Sequence, residues 1–268
     1  MGYWDFLYKM TKGIHMMDKD RRFPCGKSFS KQIDSDGAVA RERREFIKAG
    51  LAVTAAAVLP AFATGAIGAI QPHVKNVFII NARQTYPGLS EGRLNREYVA
   101  LIKSEMDKKG YRTRQTYIEK GYDINEEVQK HLWADIIITQ SPVFWFGTPW
   151  IYKKYVDEIF TAGMSQQSFL IDDGRIANDL SKQYREGGKL HGKKFLLSLT
   201  MNTPKEAFDD PAQRLYAGRS LEDLFSSTTS VYKFCGFDIL PVFGSFDVIK
   251  APQISQDKMR LRQHLANL

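Results

Sequence analysis

Short apolar runs alternate with segments of helical spacing from residue 73 to the end of the chain. Asn76-Val77-Phe78-Ile79-Ile80-Asn81 is apolar nearly throughout, which predicts a strand buried on both faces. Leu94, Tyr98, Leu101, Ile102 and Met106 then recur at the three- and four-residue spacing of a helix, which Gly110 ends. Residues 113–118 are more polar and suit an edge strand. Residues 123–133 read as a short helix with Asp123 as its cap. A second Ile-rich run, 135–139, leads to Pro142, which cannot continue a ladder. After it, Ile151, Tyr152, Tyr155, Val156, Ile159 and Phe160 mark the inner face of another helix. A long insert, 165–192, precedes a fourth strand at 194–200. An irregular stretch, a helix over 220–234, a fifth strand at 238–243 and a terminal helix over 256–265 complete the pattern. Strands that alternate with helices predict an α/β fold with a parallel sheet. No internal repeat or low-complexity tract interrupts it.

Candidate chemistry lies between the elements. Pro142, Val143, Phe144, Trp145, Phe146 and Gly147 form an aromatic loop at the carboxyl end of the third strand, where open α/β sheets hold ligands. Large rings beside a glycine suit a flat ring system, with Gly147 allowing close approach of the backbone. The alternative is an ordinary hydrophobic loop over the core. After the first strand, Ser90 and Gly92 stand at the mouth of a helix, where free amides and the helix dipole attract an anion. A plain strand-to-helix turn would look the same, because no glycine-rich dinucleotide fingerprint or P-loop is present. The five histidines (15, 73, 131, 191 and 264) have no metal-ligand spacing, so no metal site is expected. His131 reads as packed or solvated. The absence of Gly-x-Ser-x-Gly leaves hydrolase chemistry without support.

The aromatic loop and the Lys153-Lys154-Tyr155 helix after it resemble the flavodoxin-like NAD(P)H:quinone reductases, and most closely the modulator of drug activity B family. The resemblance implies a doubly wound, five-stranded parallel sheet of order 2-1-3-4-5 with helices on both faces. It implies FAD, with FMN as the second choice, and NADPH or NADH as electron donor. Ser90, Gly92, Arg93, Leu94 and Asn95 match the family's Ser-x-Gly-x-Leu-Asn loop and would hold the flavin pyrophosphate. The loop is one residue longer ahead of Ser90, which alters the course of 83–86. Thr200, Met201, Asn202 and Thr203 match a turn that reaches the flavin's polar edge, with Met201 where relatives carry Trp. Tyr184, Gly187 and Gly188 match a Tyr-x-x-Gly-Gly loop, with Tyr184 capping or bonding the flavin, in one arrangement across a homodimer interface. The implied reaction is two-electron, ping-pong hydride transfer through flavin N5 to a quinone. Tyr184 and Asn202 are the candidate catalytic side chains, neither compelled as an acid or base. The alternatives on the same fold are azo, nitro or metal-chelate reduction, or a non-enzymatic electron carrier.

The first 72 residues have a different character. Arg43-Arg44-Glu45-Phe46-Ile47-Lys48 has the spacing of a twin-arginine export signal, although Glu42 stands where Ser or Thr is usual. Residues 49–70 carry no charge, and Ala61-Phe62-Ala63 offers a small-x-small cleavage site. Residues 1–72 are therefore expected to be a leader engaging the twin-arginine machinery through Arg43 and Arg44, cut near Ala63, with 73–268 as the exported reductase domain. Periplasmic or exported location follows. Retention of 49–70 as a membrane anchor is the main alternative, and a buried helix is another.

Charge divides with the chain. Of 38 Lys and Arg and 30 Asp and Glu, residues 1–63 hold eleven and seven, leaving 27 against 23. The net charge of +8 thus owes half its excess to the leader. No basic cluster is interleaved with aromatics, which argues against nucleic acid as a partner. Cys25 lies in the leader and Cys235 in the body, so no disulfide inside the mature chain is expected.

Overall fold

A computed structural model of the chain describes residues 74–177 and 179–268. The twin-arginine motif, the apolar segment and the expected cleavage site lie outside these residues. Six strands form one parallel sheet: β1 (Asn76–Asn81), β2 (Arg112–Tyr117), β3 (Ile136–Pro142), β4 (Lys194–Thr200), β5 (Asp238–Ile239) and β6 (Phe243–Ser245). The order is β2-β1-β3-β4-β5, and β6 also pairs with β4. Among the described residues six α-helices accompany it: α1 (Arg93–Lys108), α2 (Ile124–Trp133), α3 (Trp150–Ser165), α4 (Leu221–Leu224), α5 (Ser226–Phe234) and α6 (Ile254–Ala266).

Successive strand residues point to opposite faces, and that alternation divides the core in two. Val77, Ile79, Ile136, Ile138 and Leu196 meet Tyr98, Val99, Ile102 and Met106 of α1 and Leu261 and Leu265 of α6. Phe78, Ile80, Ile137, Phe195, Leu197 and Leu199 meet α2, α3 and α5 on the other face. Both faces are covered, so the central strands read as continuous apolar runs. The edge strand β2 is partly exposed, in keeping with its polar sequence. Asp123 caps α2 by accepting a hydrogen bond from the Glu126 amide.

Three elements differ from the sequence expectation. β3 runs on past 139 to Pro142, which pairs with Thr200 and needs no amide there because Val143 donates to the Thr200 carbonyl. Two other elements are divided. The fifth strand is split, because residues 240–242 stand opposite only Leu196 and Leu197 of β4. That extra residue makes a bulge, and Pro241 sits in it with no amide to pair. The helix expected over 220–234 is also two pieces. Ser220 and Asp223 form a capping box for α4. The buried Phe225, at φ −104° and ψ 13°, then separates α4 from α5.

A polar cluster is built into the second face. Glu127 of α2 is fully buried and accepts hydrogen bonds from Thr116 Oγ1 (2.7 Å) and Tyr155 (2.6 Å) while pairing with Lys130 (2.5 Å). His131 is fully buried among Phe78, Tyr155, Phe160, Phe169 and Tyr232. Burial pushes its imidazole down to about 4, so it is neutral at ordinary pH. Burial also pushes the Cys235 thiol up to about 12, which leaves it inert as a nucleophile.

Candidate active site

Parallel register carries the ends of five strands to one edge. Asn81 of β1 stands beside Tyr117 of β2 and Gln140 of β3. Pro142 of β3 pairs with Thr200 of β4, and Thr200 pairs with Ser245 of β6. The loops that leave these residues form the rim where such sheets bind ligands.

The aromatic loop is a tight hairpin. The Phe144 amide donates to the Gly147 carbonyl at 2.7 Å, and the Gly147 amide donates back at 3.3 Å. Trp145 and Phe146, the two central residues, have φ of 49° and 66°. Positive φ at both positions is the signature of a type I′ turn, which normally takes Asn-Gly or Gly-Gly. Bulky side chains held there cost roughly 1–2 kcal/mol per residue. Yet both rings face solvent, Trp145 at 68% and Phe146 at 59% exposure. Strain kept in order to display two exposed aromatics points to function rather than to core packing. The hairpin is anchored on both sides. Val143 donates to the Thr200 carbonyl at 2.8 Å, and the Phe144 ring stacks on Tyr86. A Cβ built on Gly147 would meet nothing within 4 Å, so the backbone beside the two rings is open.

The mouth of α1 has the opposite chemistry. Gly92 caps the helix at φ 64°, with no side-chain cap and no acidic residue in the first turn. The positive φ explains the glycine, and Arg83 lies close over it, 2.4 Å from where a Cβ would fall. Arg96 joins it by donating to the Glu91 carbonyl at 2.7 Å, and Arg93 is exposed at the first helical position. Three guanidinium groups gather at the positive end of a helix dipole, where cations are normally disfavoured. An uncapped helix mouth with this charge fits a phosphate-bearing ligand. Ser90 is occupied locally, its amide and carbonyl both bonded to Tyr86 in a small hairpin.

Asn95 has a supporting place. It is buried, donates to Asn81 Oδ1 at 2.8 Å and accepts from Gln140 Nε2 at 3.1 Å. Ser198 extends the chain of bonds to Gln140 at 2.6 Å. The network clamps α1 to β1, β3 and β4, and Leu94 packs against the same core. One buried atom is left over, because Asn81 Nδ2 has no acceptor among the described residues.

The turn after β4 is pinned from below. Met201 is buried in the core, with its amide on the Ser245 carbonyl at 2.9 Å. The Thr203 carbonyl accepts from Asp247 at 3.2 Å. Asn202 Oδ1 accepts from the amides of Ile249 and Lys250, both at 3.2 Å, so its oxygen is spent on a neighbouring loop. Met201 thus fills the core rather than the rim.

The structure does not bring Tyr184, Gly187 and Gly188 to this rim. Gly188 lies against the Cys235 backbone, and Leu190 donates to the Cys235 carbonyl at 2.9 Å. Tyr184 packs on Phe234 with ring centroids 4.9 Å apart. Cys235 precedes β5, whose Asp238 pairs with Lys194 at the start of β4. These residues therefore sit at the amino edge of the sheet, about 20 Å from the aromatic hairpin along a seven-residue strand. Tyr86, Arg83 and Asn81 were not singled out by sequence. The extra residue ahead of Ser90 was the one signal in the sequence that the 83–86 loop takes its own course.

Residues 75–266 match the family model described as flavodoxin-like fold. The NADPH:quinone oxidoreductase MdaB of Haemophilus influenzae is 34% identical over 190 residues, covering 71% of this chain and 97% of that protein. An uncharacterised protein of Schizosaccharomyces pombe is also 34% identical, over 70% of this chain and 94% of its own. A solved Klebsiella pneumoniae structure superposes with a TM-score of 0.55 at 19% identity, covering 72% of this chain and 83% of that one. The chain belongs to the flavodoxin-like fold family and is a homologue of the Haemophilus quinone oxidoreductase MdaB.

Proposed function

We propose that the chain is a flavin-dependent NAD(P)H:quinone oxidoreductase that takes FAD in preference to FMN. The observation that carries this reading is the strained Phe144–Gly147 hairpin, which holds two exposed aromatic rings beside open backbone. Trp145 and Phe146 would wall one side of a flat ring system. The guanidinium groups around Gly92 would hold its phosphates. Thr200 and the Nδ2 of Asn202 remain available at the polar edge between them. A bound flavin supplies the two-electron transfer between nicotinamide and quinone; the protein binds, orients and shields it. The name of MdaB, 97% of whose length this chain matches, supports the same reading.

The same reading includes a homodimer, which the placement of Tyr184 makes compatible with its expected contact to flavin. At the amino edge of its own sheet, its exposed ring could cap a flavin only in a second copy. Export by the twin-arginine route rests on Arg43 and Arg44 and on the uncharged run after them. That route carries folded cargo, which suits a protein that binds its cofactor before transport.

The visible spectrum and steady-state turnover of the purified protein test the proposal. The expected result is a flavin absorption band, with or without added FAD, together with NADPH oxidation that depends on a quinone. A colourless protein that gains no band with FAD or FMN would overturn it.

A further inference from the structure

Beside the mouth of α1, three donors already hold an anion. The Glu119 carboxylate accepts from the Thr85 amide at 2.7 Å, from the Thr85 hydroxyl at 3.1 Å and from the Arg83 guanidinium at 2.9 Å. Arg83 is fixed in turn, donating to Thr85 Oγ1 at 2.6 Å and to the Glu91 carbonyl at 3.3 Å. An amide, a hydroxyl and a guanidinium converging on two oxygens form a cradle equally suited to a phosphate group.

The surroundings hold more donor capacity than Glu119 satisfies. Arg83 and Glu119 share a recess with Asn81, Tyr117 and Lys120. Asn81 is 1% exposed, and its Nδ2 has no acceptor among the described residues. A buried amide left unpaired is costly. Lys120 adds a cation at the rim. Glu119 and Lys120 are exposed in the short turn after β2, whereas Ile118 before them is buried in the core, so the Glu119 side chain can swing while the turn itself stays anchored.

We propose that Glu119 is a built-in competitor for a ligand phosphate. Its carboxylate and a phosphate of a dinucleotide flavin contend for the Arg83–Thr85 cradle, and Glu119 swings out when the dinucleotide seats. This rests on the flavin reading above and adds to it a device that lowers dinucleotide affinity in exchange for order in the unbound loop. Apparent affinity falls by the fraction of molecules whose cradle is free. The pair lies near the surface, so the effect is moderate.

Titration of riboflavin and FAD by flavin fluorescence tests the proposal with the full chain, Glu119→Gln and Arg83→Gln. The glutamine at 119 keeps an oxygen for the Thr85 amide and removes the charge. Glu119→Gln is expected to tighten FAD by about three- to tenfold, and Arg83→Gln to weaken it by about tenfold or more. Riboflavin, which has no phosphate, should bind all three proteins alike. FAD affinity that is unchanged or weaker in Glu119→Gln overturns the competitor, and so does equal tightening of riboflavin. If no flavin binds to any of the proteins, the reductase reading fails and takes the competitor with it.

Discussion

Tyr86 and Phe144 stack face to face, with ring centroids 4.4 Å apart and planes 7° from parallel. They come from loops after different strands, so one aromatic contact joins the phosphate side of the rim to the ring side. Burial raises the Tyr86 hydroxyl above its ordinary range, which keeps it protonated against the stack. A double-mutant cycle of Tyr86→Ala and Phe144→Ala should show coupling of about 0.5–1.5 kcal/mol in unfolding free energy. Additive effects in denaturant titrations would mean that the two loops are held independently.

The exposed rings are expected to matter for binding rather than for folding. Trp145→Ala with Phe146→Ala should lower flavin affinity by about tenfold or more, from lost stacking of roughly 0.5–1.5 kcal/mol per ring. Fluorescence titration of the folded double variant measures this. Undiminished affinity would show that the hairpin only covers the core.

The strain in the hairpin gives a prediction of opposite sign for stability. Trp145→Asn with Phe146→Gly places the residues a type I′ turn prefers at φ 49° and 66°. Unfolding free energy should rise by about 1–3 kcal/mol while flavin binding is lost. Urea titration followed by tyrosine and remaining tryptophan fluorescence reads the first effect. A variant no more stable than the parent would remove the strain argument.

His131 predicts a pH dependence. Burial lowers the folded-state value to about 4 from the ordinary 6.5 of a free imidazole. The unfolded chain therefore binds the proton first as pH falls, so stability is full above about pH 6.5 and declines towards pH 4. The complete loss would be roughly 3 kcal/mol. Denaturant midpoints at pH 7.5, 6 and 5 should fall in that order, and His131→Phe should flatten the slope. A parent protein equally stable at pH 7.5 and 5 would contradict it.

Location is tested at the leader. Replacing Arg43 and Arg44 with Lys should hold the protein at full length in the cytoplasm, since the two side chains are not interchangeable in guanidinium recognition. Fractionation followed by mass measurement should find the parent outside the inner membrane, cut near Ala63. Normal export of the Lys-Lys form would remove the twin-arginine proposal. Full-length parent released only by detergent would favour the anchor over 49–70.

The sequence by itself determined the layered fold and pointed to the carboxyl edge of the sheet as the candidate site. Ile-rich runs such as 136–138 need cover on both faces, and the helical stripes supply it, so the layered parallel sheet and its carboxyl-edge rim followed from local pattern, while the strand order came from the family resemblance. The Phe144–Gly147 loop was legible because its composition is unusual at that place. Tertiary structure alone decided what each rim residue does. Asn95 was matched to cofactor binding, yet the meeting of β1 and β3 gives its amide to Asn81 and Gln140. Asn202 gives its oxygen to the loop after β6, and Met201 points into the core. Tyr184 lies at the far edge because α3 runs back along the sheet before the insert begins. Arg83, Thr85 and Glu119 come together only because β1 and β2 are parallel neighbours that end side by side. Periodicity reports which face of an element is buried. Which side chains meet across elements depends on register and loop course, and these are fixed by packing of the whole sheet.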